Sequence, residues 1–320
     1  MDKRLFIGVD EAGYGPNLGP LLICGAAMLV PNNMTEADLC VGLGNLFRAE
    51  SWKFGCSHVP LGDSKKLYQP SSGLDTLEIG LLACTNLVHT QPTVEIGQLQ
   101  QLIDVTQIAT QEITGVYSDL PWYQELTRFP VPRNAELAGE ISRLSELAEE
   151  TFAELGVELV ELGSVIVAEP HFNTAISHSG SKGQLLSQTT LRLVALWIEK
   201  YRELPVEVYC DRQGGRKNYM PVLLDVMPEH WFFETQSSAS RCSYHRQAPP
   251  HCDIHFSVGG DQFPPTGLAS MLAKYLRERL MESVNAFWMP KVPGLKPTAG
   301  YPQDAKRFRA QSKISPSNSN

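Results

Sequence analysis

Four carboxylates stand where this chain can concentrate negative charge. Asp10 and Glu11 close the apolar run Leu5-Phe6-Ile7-Gly8-Val9 and open a stretch dense in turn formers, Gly13-Tyr14-Gly15-Pro16-Asn17-Leu18-Gly19-Pro20. Asp211 ends Val206-Glu207-Val208-Tyr209-Cys210 and precedes Arg212-Gln213-Gly214-Gly215, and Asp261 follows Val258-Gly259-Gly260. Neighbouring side chains on a strand point to opposite faces, but at a strand end a turn can bring both toward one site. Gathered carboxylates repel and stay ionised at neutral pH only with a cation among them. Hard oxygen ligands suit Mg²⁺ or Mn²⁺. Two such ions about 3.5–4 Å apart can activate a water and stabilise the leaving oxygen of a phosphodiester. Spacing alone does not establish this chemistry, because an aspartate at a strand end is more often a turn or helix cap.

The elements expected to position these groups follow from periodicity. Leu5–Val9 and the apolar run Leu21 to Val30 read as strands around the glycine-rich turn, and a third strand is expected near His58-Val59-Pro60. Residues 75–89 have helical periodicity. Residues 90–163 begin rich in glutamine and turn formers, then place Leu137, Ile141, Leu144, Ala148 and Phe152 on one stripe of an acidic helix that packs on its own domain. Gly163–Ala168 reads as a strand, 181–201 as a long helix, Val206–Asp211 as a buried strand and Asn218–Met227 as a helix. Alternating aromatic and polar residues suggest a hairpin over 230–258, and Thr266–Phe287 is a strong helix. This order predicts an α/β layer fold with a mixed sheet. The serine-rich end from Arg309 reads as a polar, disordered tail over 309–320, leaving 1–308 as one domain that includes the segment 90–163.

No apolar run approaches the ~20 residues that span a bilayer. The first thirteen residues place a carboxylate inside their only apolar stretch, so a signal peptide is not expected and a cytoplasmic location is. Seven scattered cysteines, with no C-x-x-C pair, read as reduced core residues. The net charge of −8 argues mildly against a phosphate-bearing partner. Local charge matters more, however, and a divalent cation reverses the sign of an acidic site.

Several segments, dispersed but in order, resemble the ribonuclease HII (type 2 ribonuclease H) family. Gly8-Val9-Asp10-Glu11-Ala12-Gly13-Tyr14-Gly15-Pro16 is similar to its G-[IV]-D-E-A-G-R-G-P signature, with a second glycine-proline at Gly19-Pro20. Asp63-Ser64-Lys65-Lys66-Leu67 matches the D-S-K-K-L element, and Asp211 the aspartate on the strand after the central helix. Asp261 with Ala269-Ser270-Met271-Leu272-Ala273-Lys274 and Arg277 matches the element around the last aspartate. Gly300-Tyr301 resembles the late G-Y segment. The resemblance covers roughly residues 1–90 and 164–310. It implies a ribonuclease H-like mixed sheet flanked by helices, and an endonuclease acting on RNA–DNA hybrids or on ribonucleotides in duplex DNA. It further implies that Asp10, Glu11, Asp211 and Asp261 hold two Mg²⁺ or Mn²⁺ ions, and that the products are a 5′-phosphate and a 3′-hydroxyl. Gly13, Tyr14 and Gly15 would read the 2′-hydroxyl, Tyr301 would stack on a sugar, and Lys65, Lys66 and Lys274 would face phosphates. Backbone groups at a glycine-flanked turn suit a hydroxyl that both donates and accepts.

The chain departs from the family in three places. Tyr14 stands where the family has arginine or lysine, which removes one cationic contact and puts cutting at a single embedded ribonucleotide in question. Residues 90–163 are surplus to the compact pattern, and the long separation of Asp211 from Asp261 implies an added hairpin. Between Cys242 and His255 that hairpin holds five groups that could bind zinc, at a spacing matching no standard module. Ala168–Asn173 stands where the family has an acidic turn and is assigned no role. Two further readings stay open: a ribonuclease H-fold nuclease of altered specificity, and a non-catalytic homologue that binds nucleic acid or protein.

Overall fold

The computed structural model describes residues 2–14, 18–68, 73–88, 96–108, 117–179 and 181–312. Gly15 therefore lies outside the described residues. The chain opens with the antiparallel pair β1 (Lys3–Ala12) and β2 (Leu21–Pro31). A short helix α1 (Glu36–Gly44) follows, its first turn closed by a capping box between Thr35 and Asp38. Two-residue strands β3 (Phe47–Arg48) and β4 (Val59–Pro60) pair with each other. The expected third strand at residues 58–60 is thus confined to a separate small sheet, where Pro60 has no amide to extend a ladder.

Then come α2 (Ser64–Leu67), α3 (Asp75–Val88) and α4 (Leu99–Thr106), followed by α5 (Ala138–Leu155), the acidic amphipathic helix. Strand β5 (Glu158–Val167) begins five residues earlier than the apolar run at 163 suggests. Helix α6 (Glu169–Ser179) occupies the segment left without a role, and α7 (Lys182–Lys200) is the long helix. After β6 (Val206–Asp211) and α8 (Met220–Val226), the expected hairpin is three strands: β7 (Phe232–Ser237), β8 (Arg241–Arg246) and β9 (Cys252–Ser257). The 25-residue α9 (Pro264–Trp288) and α10 (Pro302–Ser312) complete the described chain. Residues Arg309 to Ser312 are therefore helical rather than tail, with Phe308 and Ser312 buried on one face; residues 313–320 lie outside the described residues.

Seven strands form one mixed sheet in the order β5-β2-β1-β6-β9-β8-β7. Its centre, β1-β6-β9, is parallel, and both flanks are antiparallel. Alternation along β1 divides the core. Phe6 packs with Leu22, Cys24, α3, α5 and α9 on one face, while Leu5, Ile7 and Val9 pack with α7 and α8 on the other. Burial on both faces explains why these strands read as continuous apolar runs. Helix α9 lies directly on β1. A Cβ at Gly8 would come within 2.1 Å of the Thr266 amide nitrogen, so only glycine admits the helix at that height. The segment 90–163 contributes Leu102, Ile103, Tyr123, Leu126 and the α5 stripe to the same core. No helix among the described residues is long and apolar enough to cross a membrane.

Candidate active site

The parallel register brings the carboxylates together. Val9 pairs with Cys210 at the end of the β1–β6 ladder, so Asp10 and Asp211 come next on adjacent strands, ~4.8 Å apart in the pairing direction. Both continue the α9 face, to which Phe6 and Tyr209 also belong. Asp211 pairs with Ser257 at the end of β9, and the chain then turns through Gly259 (φ +70°) into a 3₁₀ turn carrying Asp261. Three acidic groups therefore stand at the carboxyl ends of three neighbouring parallel strands, where ligands of open α/β sheets bind. Glu11 lies on the opposite face of β1, yet Asp10 and Asp211 both act on its charge.

Burial and crowding push these carboxyls up. Asp10 rises to about 7, first through burial and then through the charges of Asp211 and Asp261. Two hydrogen bonds partly offset this, one from Ser270 on α9 and one from the Glu11 amide at 2.8 Å. Glu11 rises to about 8, mainly by burial and then by Asp10 and Asp211, with Lys65 pulling the other way. Asp261 is raised by burial, then by Asp63 and Asp211. The Gly260 amide donates to Asp211 Oδ1 at 3.2 Å.

Sequence reasoning missed two members of this group. Asp63 was matched to a motif and given no role, but it caps α2 through the Lys65 amide at 2.8 Å and shares a hydrogen bond with Asp261. Ser270, also without a role, lies 3.0 Å from Ser64 Oγ and bonds Asp10. Their signal was present: one sits beside two lysines, the other one helical turn above Thr266. Their nearness to the aspartates depends on α2 packing against α9, which periodicity does not encode.

A cleft of ≈ 490 Å³ opens over the acidic group, bounded by Asp63, Lys65, Lys66, Asp211, Arg212 and Asp261. Lys65 and Lys66 are exposed on its rim. Lys274 is placed differently: its ammonium pairs with Glu278 at 2.6 Å and lies 4.4 Å from the Tyr68 ring centre. Tyr14 is half-buried, with its hydroxyl against Gly214 and Gly183, near the Arg216 guanidinium. Tyr301 is 51% exposed beside Gly300, whose carbonyl accepts from the Leu18 amide at 3.2 Å. Leu18 of the glycine turn thus adjoins the Gly300-Tyr301 loop, and a second cavity of ≈ 320 Å³ beside the turn is lined by Gly13, Gly19, Glu169, Phe172 and Lys182.

All donors in the acidic group are oxygens, which suits Mg²⁺ or Mn²⁺ and not a soft metal. Among the described residues no three His, Cys, Asp or Glu side chains are already grouped to clasp one ion. The carboxylates nevertheless act strongly on one another, and Asp63 and Asp261 sit at hydrogen-bond distance, an arrangement that needs either a proton or a cation. The donor set therefore fits a divalent ion, which Asp10, Glu11, Asp211 and Asp261 would hold. The Cys/His strands differ. Cys242 bonds the Lys217 carbonyl, His245 pairs with Asp253 at 2.9 Å, His255 bonds Ser243 at 2.9 Å, and the cysteines are free thiols. Cys242, His245 and His255 thus already have protein partners.

No family model and no curated protein matches this chain. Several solved structures resemble it at low identity. One is the RNase HII of Archaeoglobus fulgidus in its complex with PCNA, with a TM-score of 0.39, 13% identity, and coverage of 99% of this chain and 91% of that one. The ribonuclease H2 of Pyrococcus horikoshii gives a TM-score of 0.38 and 13% identity over 96% and 84% of the two chains. A variant of Bst-RNase HIII gives 0.38 and 12% over 90% and 56%.

Proposed function

We propose that this chain is a divalent-metal-dependent endonuclease of the type 2 ribonuclease H kind, cutting the RNA strand of RNA–DNA hybrids or ribonucleotides within duplex DNA. The observation that carries the reading is the convergence of Asp10, Asp211 and Asp261 at the ends of β1, β6 and β9, with Glu11 in their field. The motif resemblance around these same residues supports it. When bound, two Mg²⁺ or Mn²⁺ ions would supply an activated water and neutralise charge on the leaving 3′-oxygen. The chain's own part is positioning. Asp10, Glu11, Asp211 and Asp261 would hold the ions, and the Ser270 hydrogen bond aims Asp10 and favours its ionised form. Lys65 and Lys66 offer charge to phosphates along the cleft rim. The Gly13–Tyr14 backbone faces the ribose hydroxyl, and Tyr301 presents a ring for a sugar. Water attack on the phosphodiester leaves a 5′-phosphate and a 3′-hydroxyl.

The placement of Tyr14 favours a second reading, a nuclease of the same chemistry that spares single ribonucleotides. Packed against Gly183 and Gly214, its ring cannot make the phosphate contact of an arginine. Three labelled duplexes with Mg²⁺ or Mn²⁺ test both: all DNA, an RNA–DNA hybrid, and DNA with one embedded ribonucleotide. The main reading expects cutting of a ribose-containing duplex with 5′-phosphate ends, lost in Asp10→Asn. Cutting of the hybrid alone selects the second reading. Cutting of all three removes ribose recognition, and cutting of none removes the enzyme.

A further inference from the structure

The glycine turn after β1 lies outside the ladder, so something else must set its position. Two bonds do so. The Leu18 amide donates to the Gly300 carbonyl at 3.2 Å, and Arg277 Nη2 donates to the carbonyls of Leu18 (3.2 Å) and Ala299 (3.0 Å). Arg277 is only 2% exposed, and its guanidinium thus ties the turn to the Gly300-Tyr301 loop. The fit leaves no slack. A Cβ at Gly300 would lie 2.3 Å from the Leu18 carbonyl oxygen, and one at Gly13 would lie 2.3 Å from that of Pro20.

Around Arg277 stand two groups that no step of the proposed reaction uses. Glu169 opens α6, and Tyr123, 1% exposed, belongs to the surplus segment 90–163. The Tyr123 hydroxyl donates to Glu169 Oε1 at 3.0 Å, and Glu169 lines the same cavity as Gly13, Leu18 and Gly19. Tyr123 is itself anchored. The Trp122 carbonyl accepts from Ser283, and the Trp122 ring packs on Phe287 and Trp288 with centres 6.1 and 6.3 Å away, at the far end of α9.

We infer that the surplus segment braces the substrate-reading side of the site: Tyr123 holds Glu169, which lines one cavity with Gly13, Leu18 and Gly19, while Arg277 ties Leu18 to Ala299 beside Gly300-Tyr301. The inference rests on the proposed function only for the statement that these two elements read substrate. Tyr123 and Arg277 are positioning residues, since neither reaches the cleft over the carboxylates. A brace of this kind changes how well the duplex is held and leaves the chemical step alone.

The test joins amide hydrogen exchange at Leu18 with steady-state cutting of an RNA–DNA hybrid, for Tyr123→Phe and Arg277→Lys. Leu144→Ala serves as a control, since it opens the core of the same segment away from the turn. Tyr123→Phe should speed Leu18 exchange and raise KM about fivefold with kcat nearly unchanged, and Arg277→Lys should do both more strongly. Leu144→Ala should lower stability while leaving Leu18 exchange and KM as in the wild type. Wild-type exchange at Leu18 in Tyr123→Phe would overturn the brace, as would an equal KM change in Leu144→Ala. If the wild type cuts no hybrid, the functional reading fails, and Leu18 exchange still decides whether the brace exists.

Discussion

Asp10 and Glu11 sit on consecutive positions of β1 and are both held up into the neutral range by burial and then by neighbouring carboxylates, Asp10 at about 7 beside Asp211 and Asp261, and Glu11 at about 8 beside Asp10 and Asp211. A divalent ion must displace those protons, because only the ionised carboxylates bind it. The Mg²⁺ concentration for half-saturation should therefore fall steadily as pH rises from 6 to 8.5, with protons released on binding. Calorimetric titration in two buffers of different ionisation enthalpy reads both quantities. A half-saturation that does not move over that range would mean that these two groups are not ligands. Asp10, Glu11, Asp211 and Asp261 were legible as candidates because each sits beside glycine at the end of an apolar run. Asp63 and Ser270 were not, since their nearness to the aspartates is set by the packing of α2 on α9.

Helix α9 is the element on which the acidic site depends. It supplies Ser270 to Asp10, follows directly on the turn that carries Asp261, and donates Thr266 Oγ1 to the Tyr209 carbonyl at 3.1 Å. Its closeness to β1 requires Gly8 to have no side chain. Gly8→Ala should destabilise the fold by ~2–3 kcal/mol, because the added methyl meets helix backbone that cannot rotate away. A shift of the urea midpoint measures this, and a midpoint equal to the wild type would show that α9 shifts freely. The long helices α5, α7 and α9 were legible from 3.6-residue periodicity, as were β1, β2 and β6 from their apolar runs. Helices α6 and α10 were not. Exposed positions interrupt the apolar stripe in α6, and α10 is too polar to show one. The strands β7 to β9 looked like one hairpin because β9 gains its second neighbour, β6, from 46 residues earlier in the register.

The whole molecule is a mixed sheet covered on both faces, and its stability depends on groups far from the cleft. His255 on β9 is held down to about 4, first by burial and then by Arg241. It bonds Ser243 at 2.9 Å and lies 5.2 Å from the Tyr209 ring. Its folded value is below its unfolded one of about 6.5, so the unfolded chain takes up a proton that the fold refuses. The contribution is full above pH 6.5 and is lost as pH falls from 6.5 toward 4. Thermal unfolding at pH 7 and 4.5 should show the wild type losing more stability than His255→Phe, and equal losses would contradict it. Asp10 and Glu11, raised from 3.8 to about 7 and from 4.5 to about 8, act in the opposite sense over an overlapping window but equally in both proteins, so the difference between the two proteins isolates the histidine. At this scale the layer order was legible, while the role of residues 90–163 was not. Their apolar stripe shows that they pack, and only the folded chain shows Tyr123 reaching Glu169 beside Arg277. Whether the acidic group works as one unit is read from the rate of RNA–DNA hybrid cutting against Mg²⁺ concentration for the wild type, Asp211→Asn and Asp261→Asn. Saturable, Mg²⁺-dependent cutting is expected in the wild type, with a loss of at least ~100-fold in each variant. Cutting that persists in both variants, or proceeds without a divalent ion, would contradict this expectation.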